Sequence, residues 1–172
     1  MNRTETSKSR ISSVSETVPD SVRSTASIMG HPLHPIAVAL PIGALVFALL
    51  SDIGYATSQN PFWAEASRWL LLTGLITGAL AAVLGLIDFL TIPYVRRRTA
   101  AWVHFLGNGV ALVLALVNLL SRPEDPQAGV PDSGLPLSLI VVLILLVTGW
   151  LGGELAYRYR VGVVPREEVS VN

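Results

Sequence analysis

The chain has 172 residues, of which 51% are hydrophobic and 14% charged, and its mean hydropathy is +0.56. Soluble domains carry about 25% charged residues, so this composition argues against a surface that meets water on all sides. The 12 basic and 12 acidic residues cancel, which removes any case for nucleic-acid binding from bulk charge. Because the chain has no cysteine, it can hold no disulfide, thiolate zinc site or iron–sulfur cluster of its own.

The first 27 residues differ in composition from the rest of the chain. Twelve of them are Ser or Thr and none is aromatic. Such a segment buries too little apolar surface to offset the entropy of ordering it, and it lacks the apolar core of a secretory signal. We therefore expect residues 1–27 to be a disordered cytoplasmic tail.

Four long stretches contain no Lys, Arg, Asp or Glu. They cover residues 33–51, 69–87, 99–121 and 133–153. About 20 apolar residues span a hydrocarbon core as a helix, and a helix satisfies its own backbone in lipid. The short, proline-containing connections suit antiparallel neighbours. The sequence thus predicts an all-α integral membrane four-helix bundle over residues 28–164, followed by a short tail over 165–172.

The basic residues are distributed unevenly among the predicted connections. Ten lie in the N-terminal tail, the second connection and the C-terminus, whereas the first and third connections have Arg68 and Arg122 alone. Because cytoplasmic loops carry the excess of Lys and Arg, we expect both termini in the cytoplasm.

Polar residues in the spans concentrate near the predicted cytoplasmic end. His31 and His34 open the first span, and His104 lies in the first turns of the third span with Asn108 one turn deeper. Ionisable groups in spans are costly and mark functional sites by default. We therefore take this layer as the candidate site.

Two carboxylates belong to the same layer. Asp88 closes the second span and Glu154 the fourth, while Asp52, at the outer end of the first span, is interpreted as an interfacial cap. Histidines at helix N-termini and carboxylates at C-termini oppose the helix dipole. This arrangement is sensible if the groups meet each other or share a cation, so we expect one coupled site.

A short internal repeat supports such a meeting. His34 and His104 are 70 residues apart, and so are the Leu-Leu-Ser segments at 49–51 and 119–121. Two hairpins related by an axis along the membrane normal would gather both histidines and both acids at one end of the bundle.

Several motifs together resemble the bacterial membrane proteins grouped as domain of unknown function 2231. They are His31-Pro-Leu-His-Pro35, Pro41-x-Gly43, Gly85-Leu-Ile-Asp88, His104-x-x-x-Asn108, Gly149-Trp-Leu-Gly-Gly-Glu-Leu155, Tyr157 and Val161-Gly-Val163. The resemblance covers about residues 28 to 164 and implies a multi-pass protein of the bacterial inner membrane with no established activity. Some members look to be joined to a Rieske-type iron–sulfur domain, which implies electron transfer. In this chain such a cluster would come from a partner.

Three functions remain open from the sequence. The first is a redox module in which His34 and His104, with Asn108 beside them, hold haem b or a quinone. The second is a metal-ion site for binding, transport or metal-assisted chemistry, and its candidate ligands are His31, His34, Asp88, His104 and Glu154. The third is a structural subunit without a cofactor. The expected partners are the lipid bilayer, an iron–sulfur redox protein and a second copy of the chain, with no nucleic acid.

Overall fold

A computed structural model describes residues 19–122 and 126–163. Its α-helices are α1 (Leu33–Ala37), α2 (Ala39–Ser58), α3 (Pro61–Thr91), α4 (Pro93–Arg96), α5 (Thr99–Leu120), α6 (Pro126–Gly129) and α7 (Leu135–Gly153). Two π-helical turns, Val130–Gly134 and Glu154–Arg158, flank α7, and the short strands β1 (Ser27–Ile28) and β2 (His31–Pro32) precede α1.

Four helical segments within these residues are long and apolar enough to cross a membrane. They are Leu33–Ser58, Pro61–Thr91, Thr99–Leu120 and Gln127–Arg158. The predicted all-α fold with four transmembrane helices is thereby confirmed.

Local chemistry determines where the first hairpin turns. Gln59 adopts the left-handed conformation with φ of 55° and ends α2. Asn60 then caps α3, because its side chain accepts a hydrogen bond from Phe62 N while Pro61 takes the first helical position. Both choices are favoured at helix starts. At the other end, α3 stops two residues before Pro93, which cannot continue the helix.

The long helices form a ring in which α2 contacts α3 and α7, and α5 contacts the same two helices. The helices α2 and α5 therefore face each other across the bundle axis. Small side chains fill much of the centre, with Ala48, Ala111 and Ala115 at most 1% exposed. Large apolar side chains such as Phe47 and Leu146 point outward. Small residues inside and large apolar residues outside are typical of helices that pack in lipid.

The chain before the first span is ordered further than the composition predicts. β1 pairs antiparallel with β2 through a turn at Met29 and Gly30, both with positive φ, and Val22 bridges Val161 in parallel. The predicted disordered tail therefore overlaps a structured segment over residues 19–27. Residues 1–18 and the predicted tail at 165–172 lie outside the described residues.

Candidate functional site

His34 and His104 meet across the bundle axis. Their ring centroids are 6.1 Å apart and the ring planes are 87° to each other. Both side chains are half-buried. The structure thus brings the two histidines together at one end of the bundle, as the repeat predicts.

Each imidazole is held by the backbone of the helix beside it. His34 Nδ1 donates to Ala81 O at 2.8 Å, and His104 Nδ1 donates to Thr148 O at 2.7 Å. A carbonyl oxygen can only accept, so the ring proton is on Nδ1. In the neutral ring, Nε2 then carries a lone pair.

A glycine makes room for each ring. A Cβ at Gly85 would lie 2.8 Å from His34 Cε1, and a Cβ at Gly152 would lie 2.9 Å from His104 Cε1. Each glycine follows the accepting carbonyl, at Ala81 or Thr148, by four residues. Each histidine, with its carbonyl acceptor and its glycine, forms one half of the site, and the two halves have the same arrangement. This similarity supports the internal repeat.

Asn108 supports the second half-site from one turn away. Its Nδ2 donates to His104 O at 2.7 Å, and its Oδ1 accepts from Thr148 Oγ1 at 3.2 Å. Asn108 therefore positions the two residues that form the His104 hydrogen bond. Its own polar atoms are engaged in these contacts.

The carboxylate of Asp88 binds the N-terminal segment. Its Oδ1 accepts from the backbone N–H groups of Thr25 and Ala26 at 2.8 and 2.9 Å, and its Oδ2 accepts from Ser24 Oγ at 2.7 Å. These three donors explain why an acid stands at the C-terminal end of α3, where the helix dipole disfavours it. Both oxygens are thus used away from the histidines.

Glu154 and His31 are also engaged elsewhere. Glu154 Oε1 accepts from Arg158 Nη1 at 2.6 Å, and exposed His31 donates from Nδ1 to Met29 O at 3.1 Å. Within residues 19–122 and 126–163, no three His, Asp or Glu side chains come close enough to share a metal ion. The structure does not assemble the expected five-ligand set.

An aromatic cluster closes the bundle beyond the histidines. Phe89 stacks on Phe105 with centroids 4.9 Å apart. Val22 from the N-terminal segment and Val161 from the C-terminal segment pack on the same cluster. The histidine pair therefore lies between two apolar layers.

Sequence reasoning missed a second polar cluster at the opposite end. Asp52, interpreted above as an interfacial cap, is buried and forms an ion pair with Arg122, at 2.8 Å between Oδ2 and Nη2. Asp52 stands at the end of the span away from the histidines, but it is not a solvent-facing cap, because its side chain and that of Arg122 are both 0% exposed. One signal was available, since these residues are 70 apart, like His34 and His104.

The chain matches one family model, described as "Predicted membrane protein (DUF2231)", over residues 30–165. No curated protein and no solved structure matches it. The matched region includes both histidines and both members of the buried ion pair.

Proposed function

The chain belongs to the DUF2231 family of predicted membrane proteins, and from the geometry of its paired histidines we propose that it is a redox-associated membrane module. In this proposal His34 and His104 bind one metal ion through their Nε2 atoms. The observation that carries it is the contact between two imidazoles that each donate an Nδ1–H hydrogen bond to a backbone carbonyl. This leaves both Nε2 atoms as the metal-binding nitrogens.

The spacing of the rings supports the proposal. Two imidazoles bound in line to one ion, through nitrogens about 2.0 Å from it, place their centroids about 6 Å apart. The observed separation is 6.1 Å. Metal-binding histidines usually donate their second ring N–H to a carbonyl or carboxylate, which fixes ring orientation. His34 and His104 have this outer contact already.

The charge of the site favours monovalent copper. Imidazole binds a metal ion as an uncharged ligand, and the acids of the same layer, Asp88 and Glu154, are engaged by other groups. A buried ion without a counter-charge is costly, so a singly charged ion is tolerated better than a divalent one. Copper also binds imidazole well and changes oxidation state, and the lack of a counter-charge at this site favours its monovalent, reduced form over the divalent, oxidised form.

Haem b, one of the cofactors that the sequence leaves open, fits the packing less well. The sequence has Gly107 beside His104, where a macrocycle would need room. A Cβ at Gly107 would lie 2.6 Å from Thr148 Cγ2, so Thr148 occupies that space. Two shallow surface grooves, of about 380 and 360 Å³, are lined by residues other than the two histidines.

The wider setting of the proposal follows the charge distribution and the family. We place the histidine end at the cytoplasmic face of a bacterial inner membrane, with both termini on that side. A one-electron carrier such as a Rieske-type iron–sulfur protein is a partner of matching chemistry. The proposal includes a homo-oligomer, which size measurements on the purified protein test.

A structural role is the second candidate, and a specific observation favours it. The two Nδ1–carbonyl bonds join the first helical segment to α3 and α5 to α7. Each hydrogen bond of this kind adds about 1 kcal/mol to stability. In this reading His34 and His104 are clamps between helices and bind no ion.

Copper titration of purified protein separates the two candidates. Protein in detergent is titrated with copper(I) under ascorbate, and bound copper is counted by elemental analysis. We expect about one copper per chain, lost in His34→Ala and in His104→Ala. The matched control is His31→Ala, which removes the chain's third, exposed histidine and retains the copper. A parent protein without copper affinity, with both variants destabilised, favours the clamp. A Soret band in the reduced-minus-oxidised spectrum would identify haem instead.

A further inference from the structure

The polar cluster at the end opposite the histidines consists of Asp52, Asn118, Arg122 and Ser138. Asp52 follows His34 by 18 residues, which is about 27 Å of helix at 1.5 Å per residue. That length is close to the roughly 30 Å of a hydrocarbon core. The cluster therefore lies near the other face of the membrane.

Hydrogen bonds within the cluster surround one oxygen of Asp52 and one edge of Arg122. Asp52 Oδ2 accepts from Arg122 Nη2 at 2.8 Å and from Ser138 Oγ at 2.6 Å. Asn118 Oδ1 accepts from Arg122 Nε at 3.1 Å and from Nη2 at 3.0 Å. The ion pair thus joins the two hairpins by a single direct contact, although a guanidinium and a carboxylate can form two.

Two atoms of this ion pair are left over. Asp52 Oδ1 and Arg122 Nη1 are fully buried and have no hydrogen-bond partner among the described residues. Buried polar atoms in native proteins are almost always paired, and an exception points to a bound water or ion. Here the acceptor Asp52 Oδ1 and the donor Arg122 Nη1 remain without a partner, although their side chains already form an ion pair.

The chemistry of the two atoms selects a neutral ligand. Their charges cancel, so a bound ion would leave an uncompensated charge buried inside the bundle. A molecule that accepts one hydrogen bond and donates another satisfies both atoms. Water does so and commonly fills this role at buried polar sites.

The backbone after Arg122 packs closely against its side chain and its Cα. A Cβ at Gly134 would lie 2.9 Å from Arg122 Nη2, and a Cβ at Gly129 would lie 3.0 Å from Arg122 Cα. The backbone of the π-helical turn Val130–Gly134 therefore wraps the arginine closely, and Asn118 Nδ2 donates to Gly134 O at 3.1 Å. Such turns are rare and occur frequently at functional sites.

We infer that Asp52 Oδ1 and Arg122 Nη1 bind one internal water molecule, which makes this end of the bundle a hydrated polar site. The water accepts from Nη1 and donates to Oδ1, so the ion pair stays charged with every buried polar atom satisfied. The inference is independent of what the histidines bind.

Radiolytic footprinting tests the inference on the full chain in lipid nanodiscs. X-ray pulses convert water to hydroxyl radicals, which modify side chains beside a bound water even where bulk solvent does not reach. Val130 packs with Tyr55, which lies one helical turn after Asp52, whereas Val141 lies in the apolar core. The two valines are 0% and 1% exposed. We expect Val130 to be modified at least threefold faster than Val141. Equal rates would overturn the inference.

A double variant extends the test. In Asp52→Leu/Arg122→Met, which replaces both charges by apolar groups, we expect Val130 to fall to the rate of Val141. An unchanged rate would overturn the inference. If that variant does not fold, the comparison of the two valines in the parent protein decides alone.

A nearby carboxylate is the competing partner for Arg122 Nη1, since Glu124 and Asp125 follow in sequence. We expect Glu124→Gln/Asp125→Asn to leave the Val130 rate and the melting temperature unchanged. A fall in melting temperature as large as that of Arg122→Met would assign Nη1 to an acid and overturn the water site.

Discussion

At the scale of single residues, the Asp52–Arg122 pair carries charge across the bundle axis with no exposure to solvent. Removing one partner of a buried ion pair leaves the other charge uncompensated and costs about 3–5 kcal/mol. We expect Asp52→Leu and Arg122→Met each to lose about this much. The double variant should lose less than the sum, because both charges leave together. Equilibrium unfolding in detergent measures all three. Small, additive losses would contradict a tight pair.

The glycines beneath the imidazoles give a second residue-scale prediction. Gly85→Ala and Gly152→Ala place a methyl group under 3 Å from a histidine ring, and overpacking of this kind costs about 1–3 kcal/mol. Gly149→Ala is the matched control, because it lies in the same helix as Gly152 and its Cβ would meet open space. The control should be neutral or stabilising, since alanine favours helix. Thermal unfolding compares the three, and equal behaviour would argue against close packing on the rings.

Single residues also show how far sequence reasoning reaches. His34 and His104 were identifiable because ionisable groups are rare in spans, and their repeat predicted that they meet. Their Nδ1 partners were not identifiable, since a backbone carbonyl has no residue-type signature. Asp88 was assigned to the histidine site for its depth, but its ligands are Thr25 and Ala26 N–H groups, which any residue could supply.

At the scale of elements, the segment before β1 is fastened to α3. Three donors of this segment, Ser24 Oγ and the backbone N–H groups of Thr25 and Ala26, bind the Asp88 carboxylate. In addition, Thr91 Oγ1 donates to Thr25 Oγ1 at 2.9 Å. Deleting residues 2–25, a segment that composition predicts to be dispensable, removes two of the three donors to Asp88 and also the Thr25 hydroxyl that Thr91 contacts. We expect this deletion and Asp88→Ala each to lower stability by about 1–3 kcal/mol, with little further loss when combined. The control deletion, residues 2–18, leaves the donors in place. Full additivity would show that the segment is held by other contacts.

Element boundaries follow a different rule from the one used on the sequence. The charge-free stretch 69–87 predicts the second span, but α3 runs over Pro61–Thr91. Its ends carry Glu65, Arg68 and Asp88, which a helix accommodates once it leaves the hydrocarbon core. Charge thus marks the limits of the core, whereas Asn60 and Pro93 determine the limits of the helix.

At the scale of the whole molecule, equivalent residues of the two hairpins meet on the bundle axis. His34 meets His104 near one membrane face and Asp52 meets Arg122 near the other. The apolar cluster that includes Leu71 and Ala111 lies in the core between the long helices. The bundle therefore has two separate polar sites, and each depends on contact between the hairpins.

The orientation of the bundle in the membrane follows from its exposed arginines. Arg122 is buried in the ion pair. Of the two basic residues in the first and third connections, only Arg68 is therefore left to counter the ten basic residues near the other end of the bundle. This strengthens the prediction that the loop at Gln59 faces outward and the loop at Arg97 faces the cytoplasm.

Because the chain has no cysteine, single introduced cysteines can report the membrane side of each loop without background labelling. Gln59→Cys should react with an impermeant maleimide on intact cells, and Arg97→Cys should react after permeabilisation. Ala48→Cys, at a fully buried position, is the control and should stay unlabelled in the folded protein. Labelling of position 97 on intact cells would reverse the topology and would move the histidine pair to the outer face.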